Sequence, residues 1–72
     1  MYKAKIRLDT MRDVNEFVRI CTGVIPAVYI TDGRGLRVSA KSVIGAIYAM
    51  EFDELWCECD IDIWHEIERF TI

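Results

Sequence analysis

The sequence lacks a long apolar run. No uncharged stretch approaches the roughly 18 residues that a transmembrane helix requires. The first residues, Met1 to Lys5, alternate in character where an export signal would need a continuous apolar core. We therefore expect a cytoplasmic protein that makes no use of a membrane.

Linkers, repeats and low-complexity segments are also missing, and 72 residues are enough for only one domain. We predict a single domain over residues 1–72. A chain of this length buries about 60% of the surface that its unfolded form exposes, which argues against a closed interior active site. Hydrophobic residues make up 53% of the chain, which is too many for a disordered segment.

Acidic and basic residues are unevenly distributed along the chain. Residues 1–50 carry eight Lys or Arg and four Asp or Glu, whereas residues 51–72 carry one Arg and eight Asp or Glu. Either the two parts lie side by side and neutralise each other, or the acidic part docks a basic partner. A pI near 5 excludes nucleic acid as the expected partner, since phosphate binding requires a basic face.

The three cysteines do not follow the four-ligand spacing of common zinc sites. Cys57 and Cys59 are two residues apart, and Cys21 is distant in sequence. Free cysteine is commonly a small buried hydrophobe, so we predict that all three pack in the core. Metal or redox chemistry at Cys57 and Cys59 is the alternative. We expect no metal and no cofactor.

Hydrophobic periodicity predicts the element order β-α-β-β-α-β-α. Apolar and basic residues alternate over Tyr2–Leu8, which indicates a half-buried strand. Apolar residues then recur at intervals of three and four, which indicates an amphipathic helix with Asp9 and Thr10 as capping residues. The apolar stripe of this helix consists of Met11, Val14, Phe17, Val18 and Cys21.

The middle of the chain is typical of a hairpin. Residues 27–31 and 36–40 are rich in strand-forming residues, and they flank the turn Asp32–Gly35. Gly33 and Gly35 are available for positive φ in this turn.

The second half of the chain adds a helix, a strand and a last short helix. Ser42 precedes the second helix, and Gly45 inside it indicates close packing there. The helical stripe is Val43, Ile44, Ile47 and Met50. The residues expected to face inward from the last strand are Leu55, Cys57, Cys59 and Ile61. Asp62 can cap the last helix, whose inward residues are Ile63, Ile67 and Phe70.

The stretch Gly35-Leu36-Arg37-Val38-Ser39-Ala40-Lys41-Ser42-Val43-Ile44-Gly45 resembles a motif of the HPr-like phosphocarrier family of the bacterial sugar phosphotransferase system, which includes HPr and its paralogue Crh. In this family a turn glycine leads a strand into Lys-Ser, then two large apolar residues and a glycine. Residues 54–59 resemble the fourth strand of the family. The resemblance covers residues 27–61, about two-thirds of the chain.

The resemblance implies an α+β fold, an open-faced β-sandwich with helices on one face of a four-stranded antiparallel sheet of order 1-4-2-3. This order places the first strand beside the fourth. The basic residues Lys3, Lys5 and Arg7 would then lie opposite Glu58 and Asp60. Such pairing would explain the uneven charge distribution without a partner.

The chain departs from the family at the phosphorylated histidine. In the family this histidine lies between the first strand and the first helix and is followed by an arginine and a proline. The corresponding link, Leu8–Asp13, is shorter and has neither histidine nor proline. Arg12 is the only counterpart of the family arginine. His65, the one histidine of the chain, lies in the last helix, so we expect a non-enzymatic protein without histidine phosphocarrier activity.

Ser42 is the functional position that the resemblance carries over. The matching serine of HPr and Crh is phosphorylated by a dedicated kinase, and the phosphoprotein binds a transcription regulator. The resemblance therefore implies a regulatory phosphorylation site at Ser42 and a docking surface formed by Lys41, Val43, Ile44 and Ile47. Alternatively, Ser42 only caps the helix and the three apolar residues belong to the core.

The sequence thus favours a regulatory or adaptor protein of the phosphotransferase system, acting by protein–protein contact with partners such as a serine kinase and a transcription regulator. The second hypothesis is a structural or oligomerisation module that retains only the fold. The third is an enzyme or metal carrier that uses Cys57 and Cys59. Tyr29 and Trp56 on the outer sheet face form either a contact patch or lateral packing against long side chains.

Overall fold

Four strands and three helices follow one another in the predicted order in the computed structural model, which describes residues 1–72. The strands are β1 (Tyr2–Ile6), β2 (Val28–Thr31), β3 (Arg37–Ser39) and β4 (Leu55–Cys59). The helices are α1 (Met11–Thr22), α2 (Val43–Ala49) and α3 (Trp64–Ile67), the last continued by a 3₁₀ turn, Glu68–Phe70. None of the helices has the length and apolar character needed to cross a bilayer.

The sheet has the order β1-β4-β2-β3, and all its neighbouring strands are antiparallel. Cys59 of the central strand β4 lies opposite Tyr2 on one side and opposite Val28 on the other. The helices cover one face of the sheet. The predicted α+β fold, an open-faced sandwich with strand order 1-4-2-3, is therefore confirmed.

The core lies between the inner sheet face and the helices. Phe17 of α1 is fully buried, and its ring meets that of Phe70 edge to face at a centroid distance of 5.4 Å. Burial of one such side chain contributes about 1.5–3 kcal/mol. The prediction for Met11 was wrong: as the first residue of α1 it lies at the helix end and is 47% exposed. The predicted stripe residues buried in α1 are Val14, Phe17, Val18 and Cys21.

The β2–β3 hairpin has the predicted turn. The backbone φ is +78° at Gly33 and +113° at Gly35. The Asp32 carboxylate accepts hydrogen bonds from the backbone N–H of Arg34 at 2.7 Å and of Leu36 at 3.1 Å. These bonds, that from Arg34 above all, lower the pKa of Asp32 below its usual value. The turn is thus held by one carboxylate and two glycines.

Opposite charges meet where β1 pairs with β4. Lys3 lies opposite Glu58 and forms an ion pair with it at 3.6 Å. Lys5 pairs instead with Glu54 at 3.1 Å, because its cross-strand neighbour is Trp56. Asp60 lies beyond the end of β4, so the expected pairing does not include it. The Lys5–Glu54 pair is exposed on both sides, and pairs of this kind contribute about 0.2–1 kcal/mol each.

The chain leaves the sheet earlier than the alternation predicts. β4 ends at Cys59, so Ile61 is not an inward strand residue, and it is 47% exposed. The N-cap position of α3 is Ile63, not the expected Asp62, which lies one residue earlier. The Asp62 carboxylate still accepts a hydrogen bond from the Trp64 N–H, the first of the helix, at 3.0 Å. The three residues expected to face inward from the last helix are all buried: Ile63, Ile67 and Phe70.

We predict that Gly33→Ala destabilises the protein by about 1–2 kcal/mol, because a Cβ atom is disfavoured at φ +78°. The added methyl would also lie 3.3 Å from Nε1 of Trp56. Gly23 is the matched control, since it has φ −77° and an added Cβ would make only ordinary contact. Urea unfolding of both variants checks this. Equal midpoints for the two variants would contradict it.

Candidate functional site

Helix α2 buries its small residues and exposes its large ones. Ala46 and Ala49 are fully buried, whereas Ile44 is 81% exposed and Ile47 is 42% exposed. A Cβ atom on Gly45 would lie 3.2 Å from the carbonyl oxygen of Ser39, so the helix backbone runs close to β3. The sequence left open whether the large residues pack in the core or face solvent. The structure shows that they are exposed.

These residues form one apolar surface, which we call the α2 surface: Val43, Ile44, Ile47 and Tyr48. Tyr48 is 55% exposed and was missed in the sequence analysis, although it stands four residues after Ile44 and therefore on the same helix face. Its ring packs edge to face against Phe52 at a centroid distance of 5.6 Å. The helix Val43–Ala49 itself contains no charged residue.

Ser42 is the N-cap of α2. Its hydroxyl oxygen accepts a hydrogen bond from the Gly45 N–H at 3.1 Å, and its backbone is extended, with φ −110° and ψ 120°. The residue is exposed. Ser42 therefore has the expected capping role, and its hydroxyl stays accessible at the border of the α2 surface.

Lys41 is held away from Ser42. Its ammonium group donates to the carbonyl oxygens of Val24 at 2.5 Å and of Ile25 at 3.2 Å. These bonds tie the loop between α1 and β2 to the start of α2. The loop carries Ile25, which is 96% exposed and which no sequence pattern identified. Lys41 thus fixes a loop beside the α2 surface.

The link between β1 and α1 is organised as a helix start. The Thr10 hydroxyl accepts from the Asp13 N–H at 3.1 Å, and the Asp13 carboxylate accepts from the Asp9 N–H at 3.0 Å. Of the two expected caps, Thr10 is the N-cap and Asp9 precedes it. Arg12 is largely exposed and lies 4.0 Å from Glu16. Every polar side chain of this link that makes a hydrogen bond uses it to close the first turn of α1.

His65 is exposed in α3, and its ring meets that of Trp64 at a centroid distance of 5.8 Å. It lies far along the chain from the β1–α1 link and belongs to a different helix. The structure brings no second titratable side chain into an ion pair with it.

Tyr29 and Trp56 share the outer face of the sheet, as expected. The Arg37 guanidinium lies 4.1 Å from the centre of the Tyr29 ring. The ammonium groups of Lys3 and Lys5 lie 5.5 and 5.9 Å from the centre of the Trp56 ring. Both aromatic rings are therefore packed laterally against long cationic side chains.

All three cysteines are buried in the core and none forms a disulfide. The prediction that they pack in the core is confirmed. Burial raises the pKa of the Cys21 and Cys57 thiols to about 12, and the other thiols nearby add to the effect. His, Cys, Asp and Glu side chains form no group of three or more that could hold a metal ion.

Comparison with known proteins found no match among protein-family models, among curated proteins or among solved structures.

The buried thiols generate a prediction about alkaline stability. Because the folded protein holds the pKa of Cys21 and Cys57 near 12, against 9.0 for a free thiol, the unfolded chain loses these protons first. The contribution of these two thiols to stability is therefore fully present below pH 9 and is lost as the pH rises from 9 towards 12. Urea unfolding at several pH values measures this loss, which Cys57→Ala should reduce.

In the native state at pH 8, thiol reagents should label the three cysteines slowly, and rapid labelling would contradict their buried positions.

Ser42→Ala should cost about 1 kcal/mol, because the Gly45 N–H loses its acceptor at the start of α2. Ser42→Asp should retain most of the stability, since a carboxylate caps equally well and its charge suits the helix dipole. Thr10→Ala is the matched control for cap loss at the other long helix. If chemical unfolding showed Ser42→Ala as stable as the wild type, the hydroxyl would not be an effective cap.

Proposed function

We propose that this protein is a regulatory or adaptor protein that works by protein–protein contact through the α2 surface. The observation that carries the proposal is the inverted arrangement of α2, whose alanines face the core while Val43, Ile44 and Ile47 face solvent. A contiguous group of exposed large apolar residues marks an interaction site more often than a random surface does. Docking a partner here removes this apolar area from water, which drives association.

Ser42 is proposed as the switch of this contact. Its exposed hydroxyl adjoins Val43, so a phosphate there would add a charge of about −1.5 to −2 at the edge of the α2 surface. Because the Lys41 ammonium is held by the carbonyls of Val24 and Ile25, it is not the cation that pairs with this phosphate. The pairing cation then comes from the partner, which makes the phosphate a recognition element.

The biological setting follows from the resemblance to the HPr-like family. Support comes from the Lys-Ser motif at residues 41–42, which leads into α2, and from the sheet order β1-β4-β2-β3. The proposed setting is the cytoplasm, with a serine kinase and a transcription regulator of the sugar phosphotransferase system as partners. The β1–α1 link has no histidine, so phosphate transfer through histidine is not part of the proposed function.

A second candidate function rests on the same surface. Two copies of the chain could bury their α2 surfaces against each other, which would make the protein an oligomerisation module. In that case the self-association is concentration-dependent and does not require phosphorylation.

The decisive experiment compares the wild type with Ser42→Ala, Ile44→Asp and Ile61→Asp. Ile61 is the matched control, because it is a half-exposed isoleucine outside the α2 surface. The serine kinase that acts on HPr should add one phosphate to the wild type and none to Ser42→Ala. The phosphorylated wild type and Ile61→Asp should bind the purified regulator, whereas Ile44→Asp should bind at least tenfold more weakly.

Two outcomes would contradict the proposal. If the kinase ignores the folded wild type, or if phosphorylation leaves regulator binding unchanged, Ser42 is only a cap. If unphosphorylated wild type dimerises in sedimentation equilibrium and Ile44→Asp does not, the oligomerisation function replaces the regulatory one.

A further inference from the structure

The inner face of β1 is covered at one end and uncovered at the other. Ile6 is 2% exposed, whereas Ala4 is only partly buried and Tyr2 is 55% exposed. All three residues point to the same face, since strand residues alternate. The helices therefore cover the first half of β1 only in part.

An apolar cavity of about 230 Å³ lies at this uncovered end. Eight of its ten lining residues are hydrophobic, and the lining comes from β1, β4, α3 and the segment that leads into α3. The residues that matter for the argument are Tyr2, Ala4, Cys57, Cys59, Ile61 and Trp64. Ile61 is 47% exposed and Trp64 is 43% exposed, so part of the apolar lining is in contact with water.

The free edge of the sheet runs alongside this cavity, because β1 is the outermost strand. The Lys5 carbonyl accepts a hydrogen bond from the Ile72 N–H at 3.1 Å, and the Arg7 N–H donates to the Phe70 carbonyl at 2.8 Å. Odd-numbered residues of β1 therefore direct their backbone polar groups to the free edge. By this alternation, the N–H and C=O of Lys3 also point outward, and no segment of residues 1–72 pairs with them. The N–H of Lys5 points to the same edge, but Ile72 lies directly opposite it.

The bridge between β1 and the C-terminal residues defines the register that a further strand at this edge would have. Thr71 forms an antiparallel bridge with Ile6, so the chain at Thr71 and Ile72 occupies the first position of a fifth strand. A segment in line with it would lie beside Ala4, Lys3 and Tyr2. Its side chains opposite Ala4 and Tyr2 would point to the inner face and cover the apolar cavity.

The positive charges beside the free edge favour acidic residues at the outward-facing positions of such a segment. Lys3 and Lys5 stand on the outer face beside the free edge, and their side chains are 47% and 44% exposed although each has an acidic partner. Carboxylates on the added strand would face these ammonium groups. Two copies of β1 paired edge to edge would instead oppose lysine to lysine, which disfavours self-pairing.

We propose that the first half of β1 is a docking site for an extended peptide segment of another protein. The segment adds as an antiparallel strand in line with Thr71 and Ile72. Apolar side chains enter the cavity, and acidic side chains alternate with them on the outer face. Backbone hydrogen bonds to Lys3 provide affinity, and the cavity provides specificity. This site is separate from the α2 surface and does not depend on Ser42.

The test uses a fluorescein-labelled peptide of alternating glutamate and leucine and measures fluorescence anisotropy with the folded protein. Saturable binding below about 1 mM is expected. Methylating the peptide nitrogens that face β1 should weaken binding about tenfold or more, whereas methylating those that face solvent should not. Amide exchange at Lys3 should slow when the unmodified peptide binds.

Variants of the protein separate the contribution of the apolar cavity from that of the backbone hydrogen bonds. Ile61→Asp places a charge at the apolar cavity and should abolish binding, whereas Ile44→Asp on the α2 surface should leave it intact. Lys3→Pro removes one outward N–H without breaking a bond to β4, so it should weaken binding more than its control, Lys3→Gln.

The proposal is overturned if no saturation is reached, if the two methylated peptides bind equally, or if lysine replaces glutamate in the peptide without loss of affinity. Loss of binding in Ile44→Asp with retention in Ile61→Asp would assign the peptide to the α2 surface instead. The methylated peptides keep the test decisive even if Lys3→Pro fails to fold.

Discussion

The close approach of α2 to the sheet determines how this small protein presents itself to solvent. Only hydrogen or a methyl group fits between the helix backbone and the layer beneath it, as the Ser39 carbonyl near Gly45 shows. Large side chains on that helix therefore have no position in the core, and the isoleucines face water. Exposure of these isoleucines is unfavourable, and burial of larger residues elsewhere in the core offsets it. These residues come from α1, β2, β4 and the 3₁₀ turn.

The last helix determines the other exposed apolar region. α3 spans only Trp64–Ile67, and with the 3₁₀ turn it seals the core near Ile6 through Phe70 and Ile67. It covers the beginning of β1 only in part. The molecule thus has two unlike apolar regions: a convex helix face bordered by a serine, and a concave cavity beside an open strand edge. Their shapes suit different kinds of partner, one a folded surface and the other an extended segment.

Strand alternation and turn chemistry were sufficient to predict the four strands and the hairpin, whereas the sheet order, and with it the pairing of β1 with β4, came from the family resemblance. Lys3 and Glu58 lie opposite each other, and Gly33 and Gly35 have the positive φ angles that the turn requires. The buried face of α2 was not predictable in this way, because alanine and glycine carry little hydrophobic signal and isoleucine carries much. Ile61 continued the alternation of β4, but no strand is available to pair with it beyond Cys59. The alternation of residues within one strand does not show where its hydrogen bonding to the neighbouring strands ends.

The capping role of Ser42 was also predictable, because a serine directly before a helical stripe is a local feature of the sequence. The position of the Lys41 ammonium was not, since its acceptors, the carbonyls of Val24 and Ile25, lie seventeen and sixteen residues away along the chain. Side-chain bonds to backbone carbonyls of a distant loop leave no pattern in the sequence.

The central place of β4 has a consequence for synthesis on the ribosome. β1 and β2 each hydrogen-bond to β4 and not to each other, although both precede it in the chain. Until Leu55–Cys59 leaves the exit tunnel, the nascent chain can form only the β2–β3 hairpin and isolated helices, and the apolar side of β1 stays bare. Sheet assembly therefore waits for the synthesis of β4, and an interrupted message that stops before β4 yields a polypeptide that chaperones and proteases would recognise as unfolded.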